Sequence, residues 1–467
     1  MWHYFLLFSI FLISCSEEES APTDSGDSDD QGYSGISKLY VCDQTLDKVH
    51  ILDALTLEVI DEVSINFTDE MEDEEQPHFV IIDEVNGYWF VTATQAGYVG
   101  MFDLETDALI SSIEVGDMPA LLALDDITKT LYVSRMMSGM DMGDGMGMDD
   151  GMDMMMPSYK LNSLDYSGGS LVSLEDVCLA PTEDFLEFPD PHAISFSNTT
   201  SRDGGTLLSA SFTSDWMSRT DIWDNGNRQT VHRPFTVGQS SPDFPENKLF
   251  PLAVTQKDNY AFYSCSGNSD ADVNVAGQVQ SWTVGEISDP SLKSIYEFTP
   301  SSMLWHIVES PIDKQIFVVS SGGSEVGVTC LSYDNAEDYT DDNGNGSWDE
   351  GEEFVDTGNE LYDSDGVLDF VWHTTDLDFT MLHGITVSAD GAYLYITSRG
   401  NASVYMLDAM SGELLHSTTV SGSIYLSGNE KYYSPVFDEK LIDTTGCGDA
   451  YFAITSMLIS QKDLPKN

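Results

Sequence analysis

Basic residues are scarce in this chain. Lysine and arginine together number 18 among 467 residues, against 80 aspartates and glutamates, for a formal net charge of -62. Nucleic-acid binding needs Lys and Arg to displace the counterions of the phosphate backbone, and this balance excludes it as a main function. The same field repels anionic ligands and attracts cations, and a surface this acidic suits a saline exterior. Cysteine is also sparse, at six, with no CxxC pair. Beyond Cys15 an odd number remains at wide spacing (Cys42, Cys178, Cys265, Cys330 and Cys447), so no disulfide framework is expected. These five read as small apolar residues at strand positions. Residues 37–421 contain no Ser-His-Asp arrangement, no CxxCH haem site and no phosphate-binding P-loop. What is present can still bury a core, because 41% of the residues are hydrophobic. The length suits one large domain or two to three ordinary ones.

The apolar run at the N-terminus, Tyr4 to Ile13, is too short to span a bilayer as a permanent helix. It ends Leu12-Ile13-Ser14-Cys15, which resembles the lipobox of bacterial lipoproteins. The resemblance implies that residues 1–15 are a signal peptide with its lipobox. Cys15 would then be diacylated, become the mature N-terminus and anchor the chain to a membrane. One departure is the absence of Lys and Arg ahead of the run, where only His3 stands. Residues 16–36 lack apolar periodicity and read as an acidic disordered tether. Its opening, Ser16-Glu17-Glu18-Glu19, resembles the surface-export signals of some Gram-negative lipoproteins. The expected location is the cell envelope: the outer membrane, on its periplasmic side or at the cell surface.

A repeat runs from 37 to 421. Lys48–Val59, Tyr98–Leu109 and Ser403–Leu414 each alternate into a strand, stop at an Asp (Asp53, Asp103, Asp408), turn, and restart as a strand, which is hairpin chemistry. Another strand precedes each unit, at 38–43, 88–93 and 392–398, with matches at 131–135 and 316–321. Before that comes an inner strand, beginning at 78, 121, 192, 306 and 383. Four such strands make one propeller blade, and about seven blades fit: 37–66, 77–115, 119–177, 190–240, 250–298, 302–380 and 382–421. The chain is therefore expected to be all-β, a β-propeller of about seven blades. The pattern resembles the YVTN-repeat (YncE-like) seven-bladed propellers. The first blade begins at its second strand, so its inner strand has to come from elsewhere.

Residues 422–467 break the pattern. Ser423–Ile459 resembles the C-terminal stretch of ribokinase-like (PfkB) sugar kinases. In that family DTxGAGD opens a helix that holds phosphates, and its Asp is the catalytic base. Carried over, the anion loop is Gly446, Cys447 and Gly448 and the base is Asp449, with Cys447 where Ala is usual. The rest of a kinase domain is missing, and a loop alone cannot position ATP and sugar together. Sugar-kinase activity is therefore not expected. The segment reads as a foreign piece with a short helix from about Gly448 to Ile459.

Three constellations could carry chemistry. Asp341–Glu352 fits D-x-[DN]-x-[DN]-G-x5-E position by position. Calcium ligands would be Asp341, Asn343, Asn345, the Ser347 carbonyl, Asp349 and Glu352. The loop lies in an insertion at 335–366, and its role would be structural. A second insertion, 136–157, holds ten of the 20 methionines: Met136, Met137, Met140, Met142, Met146, Met148, Met152, Met154, Met155 and Met156. Thioethers select Cu(I), and the segment resembles Met-rich parts of exported copper-handling proteins; it also reads as a low-complexity insertion. Third, His78, His192, His306 and His383 each begin an inner strand in a different blade. Their placement resembles that of propeller copper enzymes, the nitrous-oxide reductases and methanethiol oxidases. A histidine there is equally ordinary in non-catalytic YVTN-type propellers, where it caps the strand and bonds between blades.

Together these features point to a calcium-stabilised binding module that takes a protein, glycan or small-molecule ligand. The alternative is a copper-dependent or hydrolytic propeller enzyme with its site at the channel mouth.

Overall fold

The computed structural model describes residues 37–68, 75–116, 118–135, 160–179, 191–198, 204–212, 215–223, 226–235, 249–257, 259–267, 275–284, 290–299, 301–323, 325–333, 366–376 and 378–420, together with two strands at 423–427 and 430–434. Every element among them is a strand; no helix occurs among the described residues. The strands form seven consecutive antiparallel sheets, the blades of a seven-bladed β-propeller.

The first blade has three strands, β1 (Lys38–Asp43), β2 (Lys48–Asp53) and β3 (Val59–Ser64). The second has four: β4 (Pro77–Asp83), β5 (Tyr88–Ala93), β6 (Tyr98–Asp103) and β7 (Leu109–Glu114). The third runs β8 (Pro119–Asp125), β9 (Thr130–Arg135) and β10 (Lys160–Asp165), and its outer position is shared by two short strands, β11 (Val172–Ser173) and β12 (Val177–Cys178), which both pair with β10. The fourth comprises β13 (Pro191–Ser197), β14 (Gly204–Ser211), β15 (Trp216–Trp223) and β16 (Arg228–Pro234). The fifth comprises β17 (Pro251–Lys257), β18 (Tyr260–Cys265), β19 (Gln278–Thr283) and β20 (Ser291–Glu297). The sixth is β21 (Leu304–Glu309), β22 (Gln315–Ser320), β23 (Gly327–Ser332) and β24 (Asp369–Thr374). The seventh is β25 (Leu382–Val387), β26 (Tyr393–Ser398), β27 (Ser403–Asp408) and β28 (Leu414–Thr419).

The aspartate turns form for a local reason. Asp53, Asp103 and Asp408 each turn a carboxylate oxygen onto the backbone N–H and hydroxyl of the residue three further on, Thr56, Thr106 and Ser411. The chain then passes through a left-handed residue, Leu57, Asp107 or Gly412. Only at Gly412 is that conformation free of strain. The donors that close these turns hold all three carboxyls below their usual range, chiefly the Thr56 N–H for Asp53 and the Thr106 and Ser411 hydroxyls for the others.

The core lies between neighbouring blades. Phe90, Met101, Leu122, Leu131 and Leu164 pack between the second and third. Trp305, Phe317, Val328, Leu382 and Leu394 pack between the sixth and seventh. Leu39, Val41, Leu52 and Leu57 of the first blade meet Tyr395, Val404 and Met406 of the seventh and bring the ends of the ring together. Cys265 and Cys330 are buried strand residues, as expected, but Cys178 is exposed because it sits on the short outer strand β12. Cys447 lies outside the described residues.

Beyond the seventh blade, β29 (Ser423–Ser427) and β30 (Glu430–Ser434) pair with each other. Among the described residues no strand pairs with β1 on the side away from β2. The expected helix after Gly448 lies outside the described residues.

Candidate channel-mouth site

Each of the six inner strands starts with the same irregularity. The register of β4, β8, β13, β17, β21 and β25 slips at its first residues, between Pro77 and Val80, Pro119 and Leu122, Pro191 and Ala193, Pro251 and Ala253, Leu304 and Ile307, and Leu382 and Ile385. Where the preceding residue is described it is left-handed: Gln76, Met118, Phe250, Met303 and Met381. A bulge re-aims the side chain it carries, and His78, His192, His306 and His383 all lie within these slips. Hydroxyls of the second strands satisfy the bulged amides: Phe79 N–H donates to Thr92, Leu121 N–H to Ser134, and Gly384 N–H to Thr397. Thr92 in turn donates to the Ala120 carbonyl in the next blade's bulge.

Three of the four histidines come together. The rings of His306 and His383 are 4.9 Å apart between centroids, and those of His78 and His383 are 5.9 Å apart. Trp305 lies 4.5 Å from His383, and Phe79 lies 6.1 Å from His306. The Gln44 amide donates to Nδ1 of His78 at 3.1 Å. An amide nitrogen can only donate, so neutral His78 carries its proton on Nε2. Arg399 reaches the Gln44 carbonyl oxygen at 3.5 Å. The fourth histidine behaves differently. His192 is buried, and its Nδ1 donates to the Leu252 carbonyl of the next blade at 2.7 Å. That is the strand-capping, blade-joining role.

Among the described residues no group of three or more His, Cys, Asp or Glu is arranged to hold a metal ion. The cluster holds the half-buried His78 and His383 imidazoles, the Gln44 amide and the Arg399 guanidinium, while Trp305 and His306 are buried beneath them. Such a set hydrogen-bonds hydroxyl, carbonyl or carboxylate oxygens.

Gln44, Trp305 and Arg399 were not singled out in the sequence. A signal for two of them exists: Gln44 and Arg399 each directly follow the second strand of their blade, β1 and β26. Trp305 shares its bulge with His306. At the other end of the inner strands, burial raises the Glu309 carboxyl to about 7, partly offset by Lys257. The remaining sequence candidates lie outside the described residues: Cys15, the calcium-loop residues Asp341 to Glu352, the methionines from Met136 to Met156, and Gly446, Cys447, Gly448 and Asp449.

The arrangement defines a seven-bladed β-propeller with a polar and aromatic channel mouth. No family model matches the chain, and no curated protein matches it significantly. Solved structures do. The periplasmic gluconolactonase PpgL of Pseudomonas aeruginosa is similar at a TM-score of 0.55 and 13% identity, over 85% of this chain and 99% of that one. A functionally unknown protein from Desulfotomaculum acetoxidans is similar at 0.50 and 13%, over 81% and 94%. A protein from Lactobacillus plantarum is similar at 0.50 and 11%, over 79% and 91%. At these identities the likeness is one of fold.

Proposed function

We propose that this chain is an exported, lipid-anchored propeller of the YVTN-repeat type that works as a binding module, with the channel mouth as its ligand site. The convergence of His78, His306 and His383 from three blades, beside Trp305 and Arg399, carries the reading. Bulges at equivalent positions aim these rings at one place. A role confined to capping strands accounts for His192, which is spent on Leu252, but does not require the other three to meet. The ligand class that suits this set is a small polyhydroxylated or carbonyl-bearing molecule, held by the polar groups. Anchoring through Cys15 would hold the ring at the envelope, and calcium bound by Asp341, Asn343, Asn345, Ser347, Asp349 and Glu352 would order the sixth blade's insertion.

The test uses the purified protein and two probes, glucono-1,5-lactone and gluconate, with binding followed by calorimetry and lactone opening by proton release. Saturable binding weakened by about tenfold or more in Arg399→Ala and His383→Ala supports the reading. Lactone opening that vanishes in His306→Ala would replace it with the enzyme reading. If neither probe binds, a glycan array is the second arm, and equal array binding by native protein and both variants removes the mouth as the site. Metal analysis of the same sample reads calcium and copper directly.

A further inference from the structure

We infer that the face of the ring opposite the channel mouth rests on a membrane. Its apolar turn tips enter the headgroup region of a zwitterionic bilayer and leave the mouth pointing away from the lipid. The inference rests on the reading of Cys15 as the anchor. Strand direction defines the face. The inner strands start at the mouth, and neighbouring strands within a blade are antiparallel. The turns from inner to second strand and from third to outer strand therefore lie together on the opposite face.

Five blades carry a large exposed apolar residue in such a turn. These are Ile312 in the sixth, Met410 in the seventh, Leu55 in the first, Val85 in the second and Ile127 in the third, each between 58% and 82% exposed. The five blades are consecutive around the ring, since buried clusters join sixth to seventh, seventh to first, first to second and second to third. The tips thus form one arc. Its rim is apolar as well: Val59 and Ile60 open β3, Leu109 and Ile110 open β7, and all four are exposed. Connections on the mouth face treat apolar residues differently. Leu46, Phe67, Met118, Met303 and Met381 there are all half-buried. Exposed apolar side chains scattered singly are ordinary on a protein surface, but an arc confined to one face is not scatter.

The chain enters the ring on this same face. The Ser37 carbonyl accepts the Ala54 N–H at 2.8 Å, from the turn that carries Leu55. Lys38 Nζ then reaches the Leu104 carbonyl at 2.9 Å and the Asp107 carboxylate at 2.6 Å, both in the third-to-outer turn of the second blade. The first blade is the middle of the arc. Residues 16–36 are all that separate Ser37 from Cys15, and a flexible segment of that length spans about 25 Å on average. Acyl chains on Cys15 would therefore hold the tip face, rather than the mouth, nearest the bilayer and keep the tips at high local concentration beside it.

Charge selects the lipid. Glu84 beside Val85, Asp313 beside Ile312 and Glu105 in the neighbouring turn are exposed on this face. With the net charge of -62 they repel anionic headgroups, whereas zwitterionic headgroups carry no net charge to oppose them. The apolar tips would sit at the boundary of headgroups and acyl chains, with the carboxylates left in water. His78 and His383 then open toward the aqueous side, where a soluble ligand arrives.

The experiment uses the full chain, made in cells that process lipoproteins, and vesicles of phosphatidylcholine. Mass spectrometry of Cys15 tests the anchor by itself. Hydroxyl-radical labelling then compares the acylated chain on vesicles with the Cys15→Ser chain in solution. Oxidation of Met410, Leu55 and Val85 should fall at least about fivefold on vesicles, while Met303 and Met381 at the mouth stay unchanged. The triple variant Leu55→Ser, Val85→Ser, Ile127→Ser should restore oxidation of Met410, with Tm unchanged because the three sites are exposed. Tips oxidised equally fast on vesicles and in solution overturn the proposal and leave the face to a protein partner. Equal protection of the mouth face overturns it as well. If Cys15 carries no acyl chain, the anchor reading falls, and the same vesicles are added to the chain at high lipid concentration. Protection confined to the tips then keeps the membrane face, and no protection overturns it.

Discussion

Lys38 Nζ lies 2.6 Å from Asp107 Oδ2, an ion pair that ties the start of β1 to the β6–β7 turn of the next blade. The other Asp107 oxygen receives the Tyr40 hydroxyl at 2.8 Å and the Trp89 indole N–H at 3.2 Å. One carboxylate thus joins the three-stranded blade to its neighbour. Burial first, and the bond to Asp107 next, hold the Tyr40 phenol above its ordinary range.

Asp107→Ala should destabilise the fold by about 2–3 kcal/mol, because it leaves a buried indole N–H and a phenol without their acceptor. Asp107→Asn keeps the left-handed turn residue and an acceptor, and should cost about 1 kcal/mol. Urea unfolding gives both values. Absorbance titration of the Asn variant should show Tyr40 ionising at lower pH than in the native protein; an unmoved titration would remove Asp107 as its partner.

Glu309 sets a pH dependence. Its folded carboxyl titrates near 7, against an ordinary value of 4.5. Between those values the folded state holds a proton that the unfolded state has released, so stability falls as pH rises from about 4.5 to about 7 and is level above. The side chain is partly open to solvent, which reduces the effect to about 2 kcal/mol. Glu309→Gln should therefore match the native protein near pH 4 and exceed it near pH 8. Parallel Tm-against-pH curves for the two proteins would refute this.

The blades with strict alternation were legible in the sequence. KLYVCD and YWFVTA appear as β1 and β5 without a residue's difference, because apolar period and an Asp turn agree there. The fourth blade was faint because β15, WMSRTDIW, buries a charged pair: Arg219 and Asp221 lie 3.0 Å apart in the sheet, both inaccessible. Local pattern cannot distinguish such a pair from a solvated face. That the first blade has three strands among the described residues was visible as a blade whose repeat starts at its second strand. The split fate of the histidines was not, since His78 and His192 both follow a proline at the start of an inner strand. What separates them is a carbonyl of the next blade within reach of His192 and the Gln44 amide within reach of His78, and both are tertiary facts.

Calcium should act on stability through the sixth blade. Its third and fourth strands, β23 and β24, are joined by residues 333–368, which include the Asp341–Glu352 loop. Chelation should lower the native Tm by several degrees, by about as much as mass action removes when a site of micromolar affinity is emptied. Asp341→Ala and Glu352→Gln should start from the lower Tm and show no further fall with chelator. Full calcium response in both variants would end the loop assignment.

The last prediction concerns 440–467. If that segment is foreign to the propeller, the fold's stability resides in the seven inter-blade clusters and none of it in the tail. The described structure ends the repeat at Thr419, after which β29 and β30 pair only with each other among the described residues. The seam between first and seventh blades is already packed by Leu39, Val41, Tyr395, Val404 and Met406, so closure there does not wait on a further strand. Deleting 440–467 should leave Tm within about 2 °C, which corresponds to roughly 1.5 kcal/mol for a domain of this size. Far-ultraviolet dichroism should keep its sheet signal and lose only a small helical contribution. A drop of many degrees, together with new hydrogen exchange at Lys38–Asp43, would show that the tail is part of this fold and that its resemblance to a sugar-kinase segment is incidental.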